Sequence, residues 1–564
     1  MYRKTAILRA QELRYILISA AIGLLIGLVV SLYLEFFKLI DSLRLALISI
    51  NLYFNLILTV LAMFTSYLTI ARLAYTKTTG CGTHIIISSY NFRSGFIDLR
   101  DTLIKPIASA ITIGLGCSAG LEGPSLVLGG GFASKISQIL DLKPEAMRIM
   151  MISGAAAGLS AVFKAPLTGI FFALEIPYKR DIAKEAFIPA SIASITSYLT
   201  LVTVKGTETL FPFVPRIIIP SIYDVLHSII LGLLATVVGV LFVKLHHEVT
   251  HLSRRLNVKE YFKPIIGGAI VGLIVVINPY TSGTGYEVIR LTLENRMNIQ
   301  PSTIEALMLL KIIATSVTLS FGGSGGLFIP TIYVGALLGL AYTSILTGFR
   351  EIYVMAAMAS LLSATSKTLF TPVVFVAETC GPSSIIPTII ASTVSFFASG
   401  LNTFYEDQLI KEAYEEELAL EEAYIFAKET KPNILEDVKA KDVMTVKPIA
   451  LNTNKTVKDA LKDIKGYNFR VYPIINNDGK LEGYITLETL LSIPKWKHNI
   501  QVGLVALRTP ITTLEDEPII NVIEDMIRKT EDHAFVVSSR EDMRLVGVIA
   551  AIDIVRKILQ YTTA

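Results

Sequence analysis

The chain has 564 residues, 52% of them hydrophobic and only 17% charged, with a mean hydropathy of +0.57 and a formal net charge of +4. A soluble protein of this length carries more charge on its surface, so lipid is the solvent for much of it. The small, dispersed net charge gives no reason to expect nucleic acid as a partner. The three cysteines (Cys81, Cys117, Cys380) show no metal-site or disulfide spacing.

Arg3, Lys4, Arg9 and Arg14 lead into an apolar run, Tyr15–Leu34, long enough to span a bilayer and without a small-residue cleavage site. The basic flank places the N-terminus in the cytoplasm. Further apolar segments follow at Leu52–Leu68, Ile107–Leu115, Ile188–Val204, Ile229–Val243, Ile265–Ile277, Ala306–Leu319, Tyr333–Leu346 and Ile385–Leu401. Many fall short of the roughly 20 residues of a simple crossing, and Gly or Pro interrupts them. Such segments predict helices that stop inside the protein, where irregular backbone can line a polar cavity. After Tyr405 the character changes: residues 406–433 read as an acidic, solvated helical linker, and Ile434 to Tyr561 reads as soluble α/β.

An internal repeat organises the apolar part. Ser118-Ala-Gly-Leu-Glu122-Gly-Pro124-Ser returns 206 residues later as Ser324-Gly-Gly-Leu-Phe328-Ile-Pro330-Thr. Ser153 to Ser160, followed by Lys164 and Glu175, returns 203 residues later as Ala356 to Ser363, followed by Lys367 and Glu378. Two landmarks in the same order at nearly one offset predict two copies of one unit, roughly residues 14–205 and 222–401. The residues alone do not say whether the copies are parallel or inverted. Each first landmark is Gly-rich, with a Pro suited to a first helical turn. A helix N-terminus presents free N–H groups and about half a positive charge. Two such ends facing each other hold an anion without a buried Lys or Arg, which would bind it too tightly to release. Close helix packing is the alternative use of the glycines.

These residues resemble the CLC family of chloride channels and chloride/proton antiporters. Gly120-Leu-Glu122-Gly-Pro124 is similar to its Gly-x-Glu-Gly-Pro element, whose glutamate is the external gate, and Gly326-Leu-Phe328-Ile-Pro330 to its Gly-x-Phe-x-Pro element, whose amides face chloride. Thr79-Gly80-Cys81-Gly82-Thr83 stands where the family has Gly-Ser-Gly, and Tyr405 resembles its central anion-binding tyrosine. The resemblance implies an all-α polytopic membrane protein with an inverted repeat and broken helices over residues 1–405. It implies Glu122 as gate, an anion site of Cys81, Gly82, Leu121, Gly123, Leu327, Phe328, Ile329 and Tyr405, and a homodimer in the cell membrane with one pore per subunit. Glu122 is otherwise an isolated charge in an apolar segment, costing at least ~2.5 kcal/mol unless used or paired; a hydrogen-bonded structural Glu is the alternative. By composition alone Phe328 is core and Tyr405 an interfacial aromatic.

Three departures matter. Cys81 replaces a serine, and a thiol is a weaker donor than a hydroxyl. His84 stands where many members have proline and is given no role. Ile176 follows Glu175 where the typical antiporters have a second acid that relays protons inward. An apolar side chain carries no proton, so the reading leans to a passive chloride channel gated by Glu122, with a chloride/proton antiporter as the alternative. Neither is an enzyme, and neither requires a cofactor for transport.

His247-Glu248-Val-Thr-His251 matches the zinc-protease pattern H-E-x-x-H. The motif follows a span and precedes Arg254-Arg255, so it reads as an exposed helix at the membrane edge. The only Asp-Gly element, Asp478-Gly479, lies in the soluble tail, away from any span. An intramembrane zinc protease is the alternative from another class.

In the tail, Val443-Met444-Thr445 starts a first module. Gly483-Tyr-Ile-Thr486 and Gly547-Val-Ile-Ala550 align at an offset of 64. This resembles a tandem of CBS domains, 434–497 and 500–562, placed in the cytoplasm. CBS pairs often bind adenine nucleotides. The Thr and Asp of that pattern are matched by Thr486 and Asp553, but Ala550 and Thr489 occupy the other two positions. A nucleotide sensor and a structural brace both remain open.

Overall fold

The computed structural model describes residues 2–211, 221–297, 300–346, 351–411, 415–431, 433–467, 469–493, 498–505, 508–529 and 531–562. The chain divides into two units, residues 1–412 and 413–564.

The first half of the first unit contains α1 (Tyr2–Ile50), α2 (Phe54–Leu73), β1 (Gly80–Cys81), α3 (Thr83–Phe92), α4 (Leu99–Gly114), α5 (Glu122–Ile139), α6 (Pro144–Phe163), α7 (Pro166–Glu175) and α8 (Phe187–Lys205). The second contains α9 (Ile222–Arg255), α10 (Lys263–Ile277), α11 (Tyr286–Leu293), α12 (Pro301–Ser320), β2 (Ser324–Gly325), α13 (Phe328–Ile345), α14 (Glu351–Ser366), α15 (Phe370–Cys380) and α16 (Ile385–Ala398). Eight described helices are long and apolar enough to cross a bilayer. α7 and α15, of 10 and 11 residues, reach only about half the hydrocarbon thickness.

Two differences from the apolar segmentation have clear causes. α1 continues beyond Leu34 through charged residues because they pair: Glu35 meets Lys38 and Lys205, and Arg44 meets Asp41 at 2.8 Å. α5, rich in Gly and Ser, escapes a search for apolar runs, and it packs on α6, which is itself apolar enough to span. A Cβ on Gly129 would lie 2.0 Å from the Gly154 carbonyl oxygen, and one on Gly158 2.0 Å from that of Ser125. These helices therefore pack backbone on backbone, which small residues alone permit.

The halves repeat each other in atomic detail. Ser160 donates to the Ser194 carbonyl (2.9 Å) as Ser363 does to that of Ser392 (3.2 Å). Ser197 donates to the Ala157 carbonyl (2.9 Å) as Ser395 does to that of Ser360 (2.7 Å). The repeat counterparts Gly120 and Gly326 form an antiparallel bridge with each other. Antiparallel pairing of equivalent residues puts a twofold pseudo-axis between them, the relation that an inverted repeat requires. β1 pairs with β2 in parallel, Gly80 with Ser324 and Cys81 with Gly325.

Glu175 and Glu378 complete the symmetry. Glu175 ends α7 and accepts from the N–H groups of Leu369, Phe370 and Thr371 and from the Thr371 hydroxyl, at 2.6–2.9 Å, at the start of α15. Glu378, on α15, accepts from the N–H groups of Leu167 and Thr168 and from the Thr168 hydroxyl, at 2.7–2.9 Å, at the start of α7. Each half thus caps a helix of the other with a carboxylate, where the dipole favours negative charge.

The second unit begins with α17 (Glu415–Thr430) and α18 (Asn433–Asp437). Its strands and helices are β3 (Thr445–Val446), β4 (Leu451–Asn452), α19 (Val457–Asp463), β5 (Val471–Ile475), β6 (Leu481–Thr486), α20 (Leu487–Ser492), β7 (Thr512–Leu514), α21 (Ile519–Lys529), β8 (His533–Val537), β9 (Leu545–Ala550) and α22 (Ala551–Thr562). One sheet runs β4-β5-β6 and the other β3-β9-β8-β7. β3, read as the start of the first module, belongs to the sheet of the second. The linker is likewise not uniformly solvated. Leu420, Ala423 and Ala427 recur at helical spacing and are buried with Leu435, Ile523 and Ile554, so α17 packs on the second module. Residues 406–411 remain with the first unit: Gln408 donates to the carbonyls of Ile176 (2.9 Å) and Ser366 (3.0 Å).

Losing the Glu175 carboxylate strands four donors at a buried helix start. Glu175→Ala is expected to destabilise the first unit by about 2–4 kcal/mol, and Glu378→Ala, less buried and with three bonds, by about half that. Detergent thermal melts followed by size exclusion give the order.

Candidate anion site

The site is built where three helix N-termini meet. Gly82 precedes α3, Leu121 precedes α5 and Leu327 precedes α13. The Gly120–Gly326 bridge and the β1–β2 pairing hold these ends together, with the Gly82 N–H donating to the Gly325 carbonyl at 3.1 Å. Leu121, Glu122, Gly123, Leu327, Phe328 and Ile329 are all buried.

Glu122 lies between the ends of α5 and α13. Its Oε1 accepts from the Phe328 N–H at 2.5 Å, while its Oε2 is buried with no hydrogen-bond partner. Among the described residues no Lys or Arg pairs with it. The carboxylate is thus held by a backbone N–H group between two helix ends, whose dipoles favour negative charge. The glycines around it have no room to spare. A Cβ on Gly120 would lie 2.0 Å from Glu122 Oε2, and one on Gly326 2.2 Å from Oε1.

The Phe328 ring points away into an aromatic cluster, its centroid 5.0 Å from Phe163, 5.4 Å from Phe172 and 4.9 Å from Phe375. Its amide is therefore the part that faces the site. Tyr405 is fully buried, and its ring lies 5.4 Å from that of His84. The segment that carries it is tied down by Thr403, whose hydroxyl meets Gln408 Oε1 at 2.7 Å, and by Phe404, whose N–H donates to the Thr365 carbonyl at 3.0 Å. Cys81, half-buried, lines an open cavity of about 580 Å³ with Gly82, His84, Lys105 and His246. Ile176 is buried, and its carbonyl accepts from Gln408.

Several residues at the site escaped the sequence reading. Lys105 and Lys311 stand at the repeat offset of 206, on α4 and α12. Lys105 donates to the Thr78 carbonyl at 2.9 Å, and Lys311, fully buried, to those of Thr281 (3.0 Å) and Gly283 (2.8 Å). The offset that aligned the motifs was the available signal. Gln408 and the buried hydroxyls of Tyr33, Ser109 and Tyr286 carry no sequence pattern at all.

The H-E-x-x-H stretch, 247–251, lies on α9 with no buried residue, and the buried histidine is the one just before it. His246 is buried and faces the cavity, whereas Glu248 and His251 are exposed. Both His247 ring nitrogens are engaged, with Glu406 Oε1 and the Thr403 carbonyl, each at 3.0 Å. Among the described residues no three His, Cys, Asp or Glu side chains group to hold a metal ion. In the tail, the Thr486 hydroxyl caps α20 at the Thr489 N–H (3.2 Å) and meets the Thr489 hydroxyl at 2.9 Å. Asp553 lies in the first turn of α22, partly exposed.

A Cβ on Gly120 would meet the Glu122 carboxyl group first, at 2.0–2.6 Å. Gly120→Ala is therefore expected to push the carboxylate off the Phe328 amide and to raise anion flux at neutral pH towards the level of a Glu122-deleted pore. Liposome efflux at matched protein density measures it.

A profile described as voltage gated chloride channel matches residues 62–400, and one described as CBS domain matches 440–495 and 502–560. An uncharacterized protein of Methanocaldococcus jannaschii is 28% identical over 330 residues, covering 58% of this chain and 81% of its own. The voltage-gated ClC-type chloride channel ClcB of Salmonella typhimurium is 27% identical over 310 residues, covering 53% and 73%. Among solved structures, a CLC-type fluoride/proton antiporter superposes with a TM-score of 0.62 at 23% identity, covering 71% of this chain and 98% of its own. A eukaryotic CLC transporter superposes with a TM-score of 0.62 at 17% identity, covering 96% and 98%. These two superpositions speak to the fold. With the profile match spanning more than half of its length, the chain belongs to the voltage gated chloride channel family, with a CBS pair at its C-terminus.

Proposed function

We propose that the protein passes chloride and other small anions through a pathway in each subunit of a homodimer, passively, with the Glu122 side chain as the gate. The observation that carries this reading is the Glu122 carboxylate seated on the Phe328 N–H between two helix ends, with no cation paired to it among the described residues. A group held only by backbone dipoles exchanges with a mobile anion of the same charge, and protonation removes its claim on the site. Cys81, Gly82, Leu121, Gly123, Leu327, Phe328, Ile329 and Tyr405 line the path in this reading. The N-terminus and the CBS tail lie in the cytoplasm.

Passive conduction is favoured by Ile176, buried and apolar where a proton would need a titratable stage, and by Glu175, whose oxygens are committed to the start of α15. Chloride/proton exchange is the second reading. It is favoured by His84 and His246, titratable groups that line the cavity beside Tyr405.

Glu122→Gln is expected to abolish the pH dependence of anion efflux from liposomes while leaving flux measurable; a parental pH response would remove the gate. Chloride-driven uphill proton movement in the parent, lost in Glu122→Gln, would replace the channel with an antiporter.

We propose that the tail braces the assembly rather than sensing nucleotide. Thr486 spends its hydroxyl on Thr489, which leaves Asp553 as the remaining matched position. Millimolar ATP, ADP or AMP is expected to leave the melting temperature of the full chain unchanged. A saturable rise, as binding to the native state produces, that disappears in Asp553→Ala would make the tail a sensor.

A further inference from the structure

We propose that the Thr83 hydroxyl is an anion-binding donor, acting with Tyr405 at the mouth of α3 and supplying the hydroxyl that the Cys81 position lacks. This rests on the anion-pathway reading and assigns the chemistry of one of its stations.

Thr83 is the first residue of α3 and is fully buried. No hydrogen bond of normal geometry satisfies its hydroxyl. Buried hydroxyls are nearly always bonded, so one left open at a ligand pathway points to a missing ligand. The local backbone is engaged elsewhere: the Gly82 carbonyl accepts from the Ile85 N–H at 3.1 Å, and the Gly82 N–H donates to the Gly325 carbonyl at 3.1 Å. Thr83 also sits beside both groups expected to touch the anion, the Tyr405 phenol and the Cys81 thiol. The thiol is the weaker donor of the three. Two oxygen donors and the N-terminus of a ten-residue helix form a hard, compact site. Such a site suits a small, strongly hydrogen-bonding halide such as fluoride or chloride over a large, weakly hydrated one such as iodide.

The test measures chloride and iodide binding to the purified full chain by isothermal titration, alongside chloride efflux from liposomes. Thr83→Val keeps the shape and removes the donor. It is expected to weaken chloride binding by roughly tenfold to a hundredfold, the cost of a hydrogen bond to a charged group, and to weaken iodide binding much less. Thr83→Ser is expected to restore chloride affinity, as is Cys81→Ser combined with Thr83→Val, which moves the hydroxyl two residues back. If Thr83→Val does not yield monodisperse protein, Thr83→Ser against Thr83→Ala gives the same comparison. Parental chloride affinity in Thr83→Val, or equal losses in the Ser and Ala variants, overturns the assignment. Absence of chloride flux from the parent would instead overturn the pathway reading itself.

Discussion

The structure is organised around a negative charge held by backbone. Glu122 Oε1 rests on the Phe328 N–H, where α5 and α13 meet across the Gly120–Gly326 bridge. A lysine or arginine in contact would bind a permeant anion too well to let it go, so partial charges from helix ends do the work. That choice dictates the rest. Helices must end in mid-protein, small residues must let backbones approach, and the chain must cross between halves to bring two helix ends face to face. Lys105 and Lys311 bind loop carbonyls instead.

What could be read from the sequence was what repeats or breaks a pattern. Glu122 is an isolated charge, and its Gly-Pro surroundings recur at Phe328 at a fixed offset; both positions proved to be helix starts. The same arithmetic aligned Glu175 with Glu378, though it gave no hint that each reaches across to the other half. That reciprocity belongs to tertiary structure, since the bonded residues lie about 200 positions apart. The Gly-rich helix α5 was invisible to hydropathy because burial against backbone, not lipid, holds it.

The tail shows a different limit. The alignment at an offset of 64 marked both modules, but β3 pairs with β9 and α17 packs on the second module. Short strands such as Thr445–Val446 carry too little pattern to name their partner. The acidic composition of residues 415–430 hid the buried stripe of Leu420, Ala423 and Ala427. Net charge reports the wet face of a helix and says little about the dry one.

The exchange of carboxylates between halves has a consequence for how the protein is made. The Leu167 N–H receives its acceptor from Glu378, 211 residues further along the chain. At translation rates of roughly 5–20 residues per second, that acceptor arrives about 10–40 s later. During this interval the start of α7 sits in or near the bilayer with open donors. The first half alone therefore holds a helix start whose capping group is supplied only when the second half is made.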